Sequence, residues 1–243
     1  MKILVTGISG RMGQTVKLAV EQNEQTELGA THDVGQDVVA AMQQADCTID
    51  FSFHGFTPEL LDTAVAQGKP LVIGTTGHTD EERAAIKAAA TRIPIVYASN
   101  YSVGVNTLFW LTRKATQILR DYDIEIIEMH HHHKLDAPSG TARTLAEVVC
   151  KETGMDYDKD VMHGREGLVG ARPQRQIGMH SMRGGDVVGD HTVIYATDGE
   201  RVELTHKASS RMTFAGGAVR AALWLADKPA GLYSMQDVLG FAD

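Results

Sequence analysis

Cysteine is nearly absent: Cys47 and Cys150 are the only two in 243 residues, and they lie far apart without metal-ligand spacing. A disulfide framework and a cysteine-built zinc site are therefore excluded, and reduced thiols are expected. Internal repeats and low-complexity tracts are also missing, which leaves ordinary globular packing. No apolar run approaches the length of a membrane span. Lys2 is followed only by Ile3 to Val5 before polar and glycine residues, too short for a signal-peptide core, so a cytoplasmic protein is expected. Basic residues are in deficit: 23 Lys and Arg stand against 31 Asp and Glu, a formal charge of -8. A general nucleic-acid binder needs the opposite balance to displace counterions from phosphates. An acidic protein that handles an acidic ligand must concentrate its positive charge locally.

What the chain does have is apolar material, 43% of its residues, enough for one large or two modest domains. Short β-branched runs alternate with amphipathic stretches over the first hundred residues. Strands are expected at Lys2 to Thr6, Glu27 to Thr31, Cys47 to Phe53, Pro70 to Thr75 and Pro94 to Ser99. Helices are expected at Met12 to Gln22, Pro58 to Gln67 and Asp80 to Thr91. Such alternation implies a parallel sheet with crossover helices, a doubly wound Rossmann-type α/β fold. After Asn100 the rhythm changes. A long helix from Val105 to Arg120 leads into a strand from Asp123 to His130, a helix from Ser139 to Glu152, and grouped strands near Gln176, Val193 and Val202. That grouping predicts an α+β domain with an open mixed sheet over residues 101–214. A closing helix, Ala215 to Lys228, carries Ala218, Ala221, Ala222 and Leu225 at helical spacing. Segment 215–243 is thus expected to complete a first domain built from residues 1–100.

Between the first strand and first helix lies Gly7-Ile8-Ser9-Gly10-Arg11-Met12-Gly13. Glycines here permit a tight turn and let backbone N–H groups approach a pyrophosphate, whose charge the helix N-terminus stabilises. The spacing is G-x-x-G-x-x-G, not the standard G-x-G-x-x-G, and a glycine-rich turn alone is weak evidence. Asp33 strengthens it, ending the second strand 20 residues after Gly13, where a carboxylate accepts hydrogen bonds from the adenosine ribose. Gly74-Thr75-Thr76 and Ala98-Ser99-Asn100-Tyr101 follow two further strands, at the carboxyl ends where open parallel sheets bind ligands.

The densest chemistry lies in Ile124 to Ala142, I-E-I-I-E-M-H-H-H-H-K-L-D-A-P-S-G-T-A. Four adjacent histidines are neither a terminal tag nor the spaced ligands of a metal site, and no metal is expected. Ser139 and Thr141 suit a helix start, so the Gly140 and Thr141 amides present an anion site for a substrate carboxylate. Lys134 adds a positive charge, and His130 and His131 can move protons near neutral pH. Neighbours in an extended chain face opposite ways, so only one or two of the histidines should be chemical.

E-x-H-H-x-x-K-x-D-A-P-S-G-T-A, from Glu128 to Ala142, resembles the signature of the 4-hydroxy-tetrahydrodipicolinate reductase (dihydrodipicolinate reductase) family. The glycine loop, Gly74-Thr75-Thr76, Asn100 to Asn106, Gly164 to Gly167, His180 to Gly185 and Ala208 to Arg211 resemble family segments in the same order, over nearly the whole chain. The resemblance implies reduction of a cyclic imine dicarboxylate by NADH or NADPH in the lysine and diaminopimelate pathway. It implies His130 as proton donor or acceptor and Lys134 as second donor, with His131, Gly140 and Thr141 binding substrate. It also implies a homotetramer, which would cover the exposed edge of the second sheet. Asp33 followed by Val34 instead of Arg favours NADH slightly, although Arg11 could still meet a 2'-phosphate.

Overall fold

The computed structural model describes residues 1–241; Ala242 and Asp243, the end of the segment expected to complete the first domain, lie outside the described residues. In chain order the elements are β1 (Lys2–Thr6), α1 (Arg11–Gln22), β2 (Glu27–His32), α2 (Val38–Gln43), β3 (Cys47–Asp50), a 3-10 turn (His54–Phe56), α3 (Thr57–Gln67), β4 (Leu71–Ile73), α4 (Asp80–Ala89) and β5 (Pro94–Tyr97). There follow α5 (Val103–Ile118), β6 (Asp123–His130), α6 (Gly140–Thr153), α7 (Tyr157–Asp160), β7 (Val161–His163), β8 (Ile177–Arg183), β9 (Gly189–Thr197) and β10 (Glu200–Ala208). The chain closes with α8 (Met212–Leu225), β11 (Gly231–Tyr233) and α9 (Met235–Leu239). Two compact units result: Met1–Val103 together with the stretch from Arg211 onward, and Gly104–Ser210.

The first unit is built on six parallel strands in the order β11-β5-β4-β3-β1-β2. Side-chain alternation along each strand feeds two cores. Ile3 and Val5 point to a layer with Val16 and Val20 of α1 and Ala218, Ala221 and Leu225 of α8. Leu4 points the other way, among Met42 of α2, Leu60 of α3 and Ile86 of α4. Continuous apolar strands covered on both faces are what a doubly wound sheet requires. Between β1 and β3 the winding reverses, and the crevice at such a switch point lies beyond the strand carboxyl ends. The strand expected to run to Phe53 stops at Asp50, which frees Phe51 to Phe53 to turn across those ends.

A mixed five-stranded sheet, β10-β9-β6-β8-β7, forms the second unit. β6 lies antiparallel to β9 and parallel to β8. Ile124 and Ile126 of β6 pack with Leu145, Ala146 and Val149 of α6, so one face of the strand is roofed by that helix. Strand alternation then brings Glu128 and His130 onto the same face, and both are buried. The apolar stripe thus turns polar toward the α6 N-terminus.

Candidate active site

Beyond the strand ends of the first unit, the glycine loop closes on itself. Gly7 has φ +69°, and a Cβ on Gly13 would lie 2.1 Å from the Gly7 carbonyl oxygen, so the turn tolerates no side chain at either position. Gly10 is the N-cap of α1 without a side-chain cap, and its N–H returns to Gly7 O at 3.0 Å. The first turn of α1 therefore presents backbone donors and the positive end of the helix dipole, a fit for a pyrophosphate. Ser9 N–H donates to Asp33 Oδ2 at 2.7 Å, which ties the loop to the end of β2. Hydrogen bonds from Ser9 and Val34 hold the Asp33 carboxyl below its ordinary value. Arg11 is exposed at the helix start, while Ile8 is half-buried and packs on the core.

A pocket of about 390 Å³ lies beside this loop, lined by Met12, Phe51, Ser52, Phe53, Gly74, Thr75, Thr76, Ser99, Asn100, Tyr101 and Phe214. Six of the residues expected at the cofactor half-site therefore share one wall with Met12: Gly74, Thr75, Thr76, Ser99, Asn100 and Tyr101. Ala98 is half-buried and packs on the core behind it. The Tyr101 hydroxyl is directed inward, donating to the carbonyls of Ile73 at 2.9 Å and Val96 at 3.0 Å. Its contribution to the pocket is thus a wall, with the polar end buried.

Asp50, at the end of β3, was not expected from sequence. Its carboxylate is fully buried and accepts from Thr6 Oγ1 at 2.5 Å, Ser52 Oγ at 2.5 Å and Thr75 Oγ1 at 2.6 Å. One acid thereby fastens the ends of β1, β3 and β4 and orients Thr75. An acid at a strand end followed by hydroxyl residues was the available signal.

The second group of expected residues assembles around Glu128. This carboxylate is fully buried and accepts from His130 Nδ1 at 2.5 Å, from Arg183 Nη1 and Nη2 at 2.9 and 3.0 Å, and from the Ser139 N–H at 3.2 Å. Burial alone would raise its pKa, but hydrogen bonds from His130, Arg183 and Ser181 outweigh that and bring it down to about 2. Ser139 caps α6 by accepting from Ala142 N–H at 3.2 Å, so Gly140 and Thr141 form the first turn. His130 and the α6 N-terminus are therefore held by one acid.

β6 ends at His130, and His131 begins the loop, its N–H donating to Val187 O at 2.7 Å. His132 and His133 are exposed. Lys134 is half-buried and pairs with Asp136 Oδ1 at 2.7 Å, while Arg183 donates to the Asp136 carbonyl at 2.7 Å. His191, on β9 opposite Glu128, is buried with its Nε2 3.0 Å from Ser139 Oγ. Arg183 lies in a segment that resembles the family and His191 on an expected strand, but neither could be set against Glu128 and His130 from sequence, because only the pairing register brings them there.

A parallel, doubly wound sheet with a glycine-rich phosphate turn, in a chain whose other unit bears a buried histidine–carboxylate pair, defines a nicotinamide-dependent oxidoreductase. The family is specific: residues 1–101 match the dihydrodipicolinate reductase N-terminal model and residues 104–239 the C-terminal model, and the chain belongs to that family. It is 66% identical to the 4-hydroxy-tetrahydrodipicolinate reductase of Akkermansia muciniphila over 100% of this chain and 99% of that one. With the enzyme of the same name from Chromobacterium violaceum the identity is 49%, over 98% of each chain. Among solved structures, a dipicolinate-bound dihydrodipicolinate reductase from Paenisporosarcina sp. TG-14 superposes with a TM-score of 0.80 at 24% identity, covering 98% of both chains. A C. glutamicum DAP dehydrogenase in complex with DAP shares the fold more distantly, with a TM-score of 0.58 at 10% identity over 100% of this chain and 96% of that one.

Proposed function

We propose that this chain reduces 4-hydroxy-tetrahydrodipicolinate, by way of dihydrodipicolinate, to tetrahydrodipicolinate with NADH or NADPH, a step of lysine and diaminopimelate biosynthesis. Family membership carries the reaction. The single structural observation that supports the site assignment is the His130–Glu128–Ser139 connection, which puts a proton donor next to a helix N-terminus. The bound nicotinamide supplies a hydride. The protein supplies binding, orientation and protons.

Residues 1–100, completed by the C-terminal segment, form the cofactor half in this reading. Gly7, Ile8, Ser9, Gly10, Arg11, Met12 and Gly13 cradle the pyrophosphate, and Asp33 takes the adenosine ribose. Gly74, Thr75, Thr76, Ser99, Asn100 and Tyr101 wall the remaining pocket, with Ala98 behind them. Residues 101–214 form the substrate half. His131 and the first-turn amides of Gly140 and Thr141 hold a substrate carboxylate. Hydride addition to the conjugated imine leaves negative charge on the ring, which His130 quenches with a proton while the Lys134 ammonium stabilises it. NADH is the preferred donor in this reading, because Asp33 repels a 2'-phosphate and exposed Val34 offers it no cation. The family's homotetramer and a cytoplasmic location complete the proposal.

The deciding assay supplies the product of dihydrodipicolinate synthase and follows nicotinamide absorbance. Substrate-dependent oxidation of the reduced cofactor is expected; its absence with both NADH and NADPH would remove the reading.

A further inference from the structure

His130 has two ring nitrogens, and the structure treats them differently. Nδ1 meets the Glu128 carboxylate at 2.5 Å, and Arg183 grips both oxygens of that carboxylate from β8. No described residue hydrogen-bonds Nε2. Gly189 of β9 lies beside it, and a Cβ built there would come 3.0 Å from Nε2. The missing side chain keeps that flank open. His191 packs edge-on against the ring, with centroids 5.2 Å apart, and restricts its rotation.

We propose that Glu128, clamped by Arg183, is a positioning residue that keeps a proton on His130 Nδ1 and so makes Nε2 the atom that exchanges a proton with substrate. An ionised carboxylate can only accept, so the nitrogen facing it must donate. The fork of Arg183 occupies both carboxylate oxygens and stops Glu128 from rotating away or taking the proton itself. When His130 is doubly protonated, the proton on Nε2 is the one free to leave; afterwards the ring is the neutral Nδ1–H tautomer, still bonded to Glu128. The charged groups facing the pair are Arg183 from β8 and Lys134 with Asp136 from the following loop, while His191 faces it from β9. The Ser139 amide on the same carboxylate makes Glu128 a hinge pin between the proton donor and the carboxylate-binding turn at Gly140.

The inference deepens the proposed role of His130 and rests on it, so its test has a readout apart from turnover. In 15N-histidine spectra of the intact protein, the resonance removed by His130→Gln identifies His130 among 11 histidines. The neutral ring should show a protonated Nδ1 and a bare Nε2; the opposite tautomer overturns the proposal. Glu128→Gln should mix the tautomers and lower kcat about 10- to 100-fold, with the KM for nicotinamide within about twofold. The double variant with His130→Gln should be no slower than His130→Gln alone, because the two act as one unit. Multiplied losses would mean that Glu128 acts on the fold and not through His130, and would overturn the idea. If Glu128→Gln does not fold, the native spectrum and Gly189→Ala decide: the added methyl, pressed against Nε2, should cut kcat and leave cofactor KM in place. Unchanged kcat in Gly189→Ala counts against Nε2. Normal turnover in His130→Gln would instead sink the catalytic assignment while leaving the tautomer result readable.

Discussion

His191 stands edge-on to His130, and its Nε2 lies 3.0 Å from Ser139 Oγ, while its buried Nδ1 has no partner among the described residues. The two imidazoles touch, but only His130 has an acid to support a positive charge. Burial, reinforced by the repulsion of His130, holds the His191 pKa down to about 3. One ring is thereby kept neutral beside another that is proposed to carry a proton.

Stability should therefore fall on acidification in two stages. An unfolded His191 takes up its proton near 6.5, and the folded one only near 3, so between these values the unfolded chain binds more protons. At pH 5 that difference amounts to about 2 kcal/mol against folding, at roughly 1.36 kcal/mol per pH unit. Glu125 and Glu128, brought down from 4.5 to about 2, contribute stability above 4.5 that disappears as pH drops toward 2. Urea unfolding at stepped pH should show the first stage flattened in His191→Phe and the second intact. An unaltered slope between pH 6.5 and 5 in that variant would show that His191 is not the group responsible.

Turnover and binding should separate at His130 and Lys134. His130→Gln removes the proton but keeps a polar side chain of similar reach, so kcat should fall about 10²- to 10⁴-fold with little change in substrate KM. Lys134→Ala removes the charge proposed to stabilise both the bound anion and the developing one, so kcat and KM should both worsen. Steady-state kinetics with saturating cofactor measure this, and near-native kcat in either variant contradicts its role.

Much of this was readable in the chain, for physical reasons. Ile3, Leu4 and Val5 announce a strand buried on both faces, and Thr79 with Glu82 caps a helix as a capping box, local signals with local causes. Short elements left no such trace. α2 spans six residues and β7 and β11 three each, too short for periodicity to show and without the wholly buried Leu71-Val72-Ile73 run that marks the equally short β4, and they exist because the sheet edges and helix layers give them something to pack on. The site divides in the same way. His130, Lys134 and Gly140 lie in one short segment of sequence, whereas Arg183 and His191 reach Glu128 only through a register of parallel and antiparallel pairing that no local pattern encodes.

Asp50 offers a test in the first unit. Its carboxylate accepts three hydroxyl hydrogen bonds, and Ser52 N–H in turn donates to Thr75 Oγ1 at 2.8 Å. Asp50→Asn replaces one acceptor oxygen with a donor and leaves a buried hydroxyl facing an N–H, at a cost of about 1–3 kcal/mol. The expected outcome is a lowered melting temperature together with a several-fold weaker Kd for the nicotinamide cofactor, read by fluorescence titration. Lost stability with unchanged cofactor affinity would show that the network supports the sheet alone and does not set Thr75 for binding.

The proposed cofactor preference rests on two neighbours just beyond the end of β2. Asp33 is anchored by Ser9 N–H at 2.7 Å and Val34 N–H at 2.9 Å, which fixes a negative charge at the glycine loop. Val34 is 96% exposed, so a longer side chain there has room and disturbs no packing. Val34→Arg should place a guanidinium where a 2'-phosphate would lie and move the NADPH/NADH ratio of kcat/KM about tenfold or more toward NADPH, equivalent to one charge-assisted hydrogen bond of about 1.4 kcal/mol or more. Asp33→Ala should shift the ratio the same way by removing repulsion, while weakening NADH through loss of the ribose contact. Both shifts assume that the unmodified protein favours NADH. A strong NADPH preference in that protein would mean that Arg11, exposed on the first turn of α1, outweighs Asp33, and Arg11→Ala would then be the variant that reverses the choice.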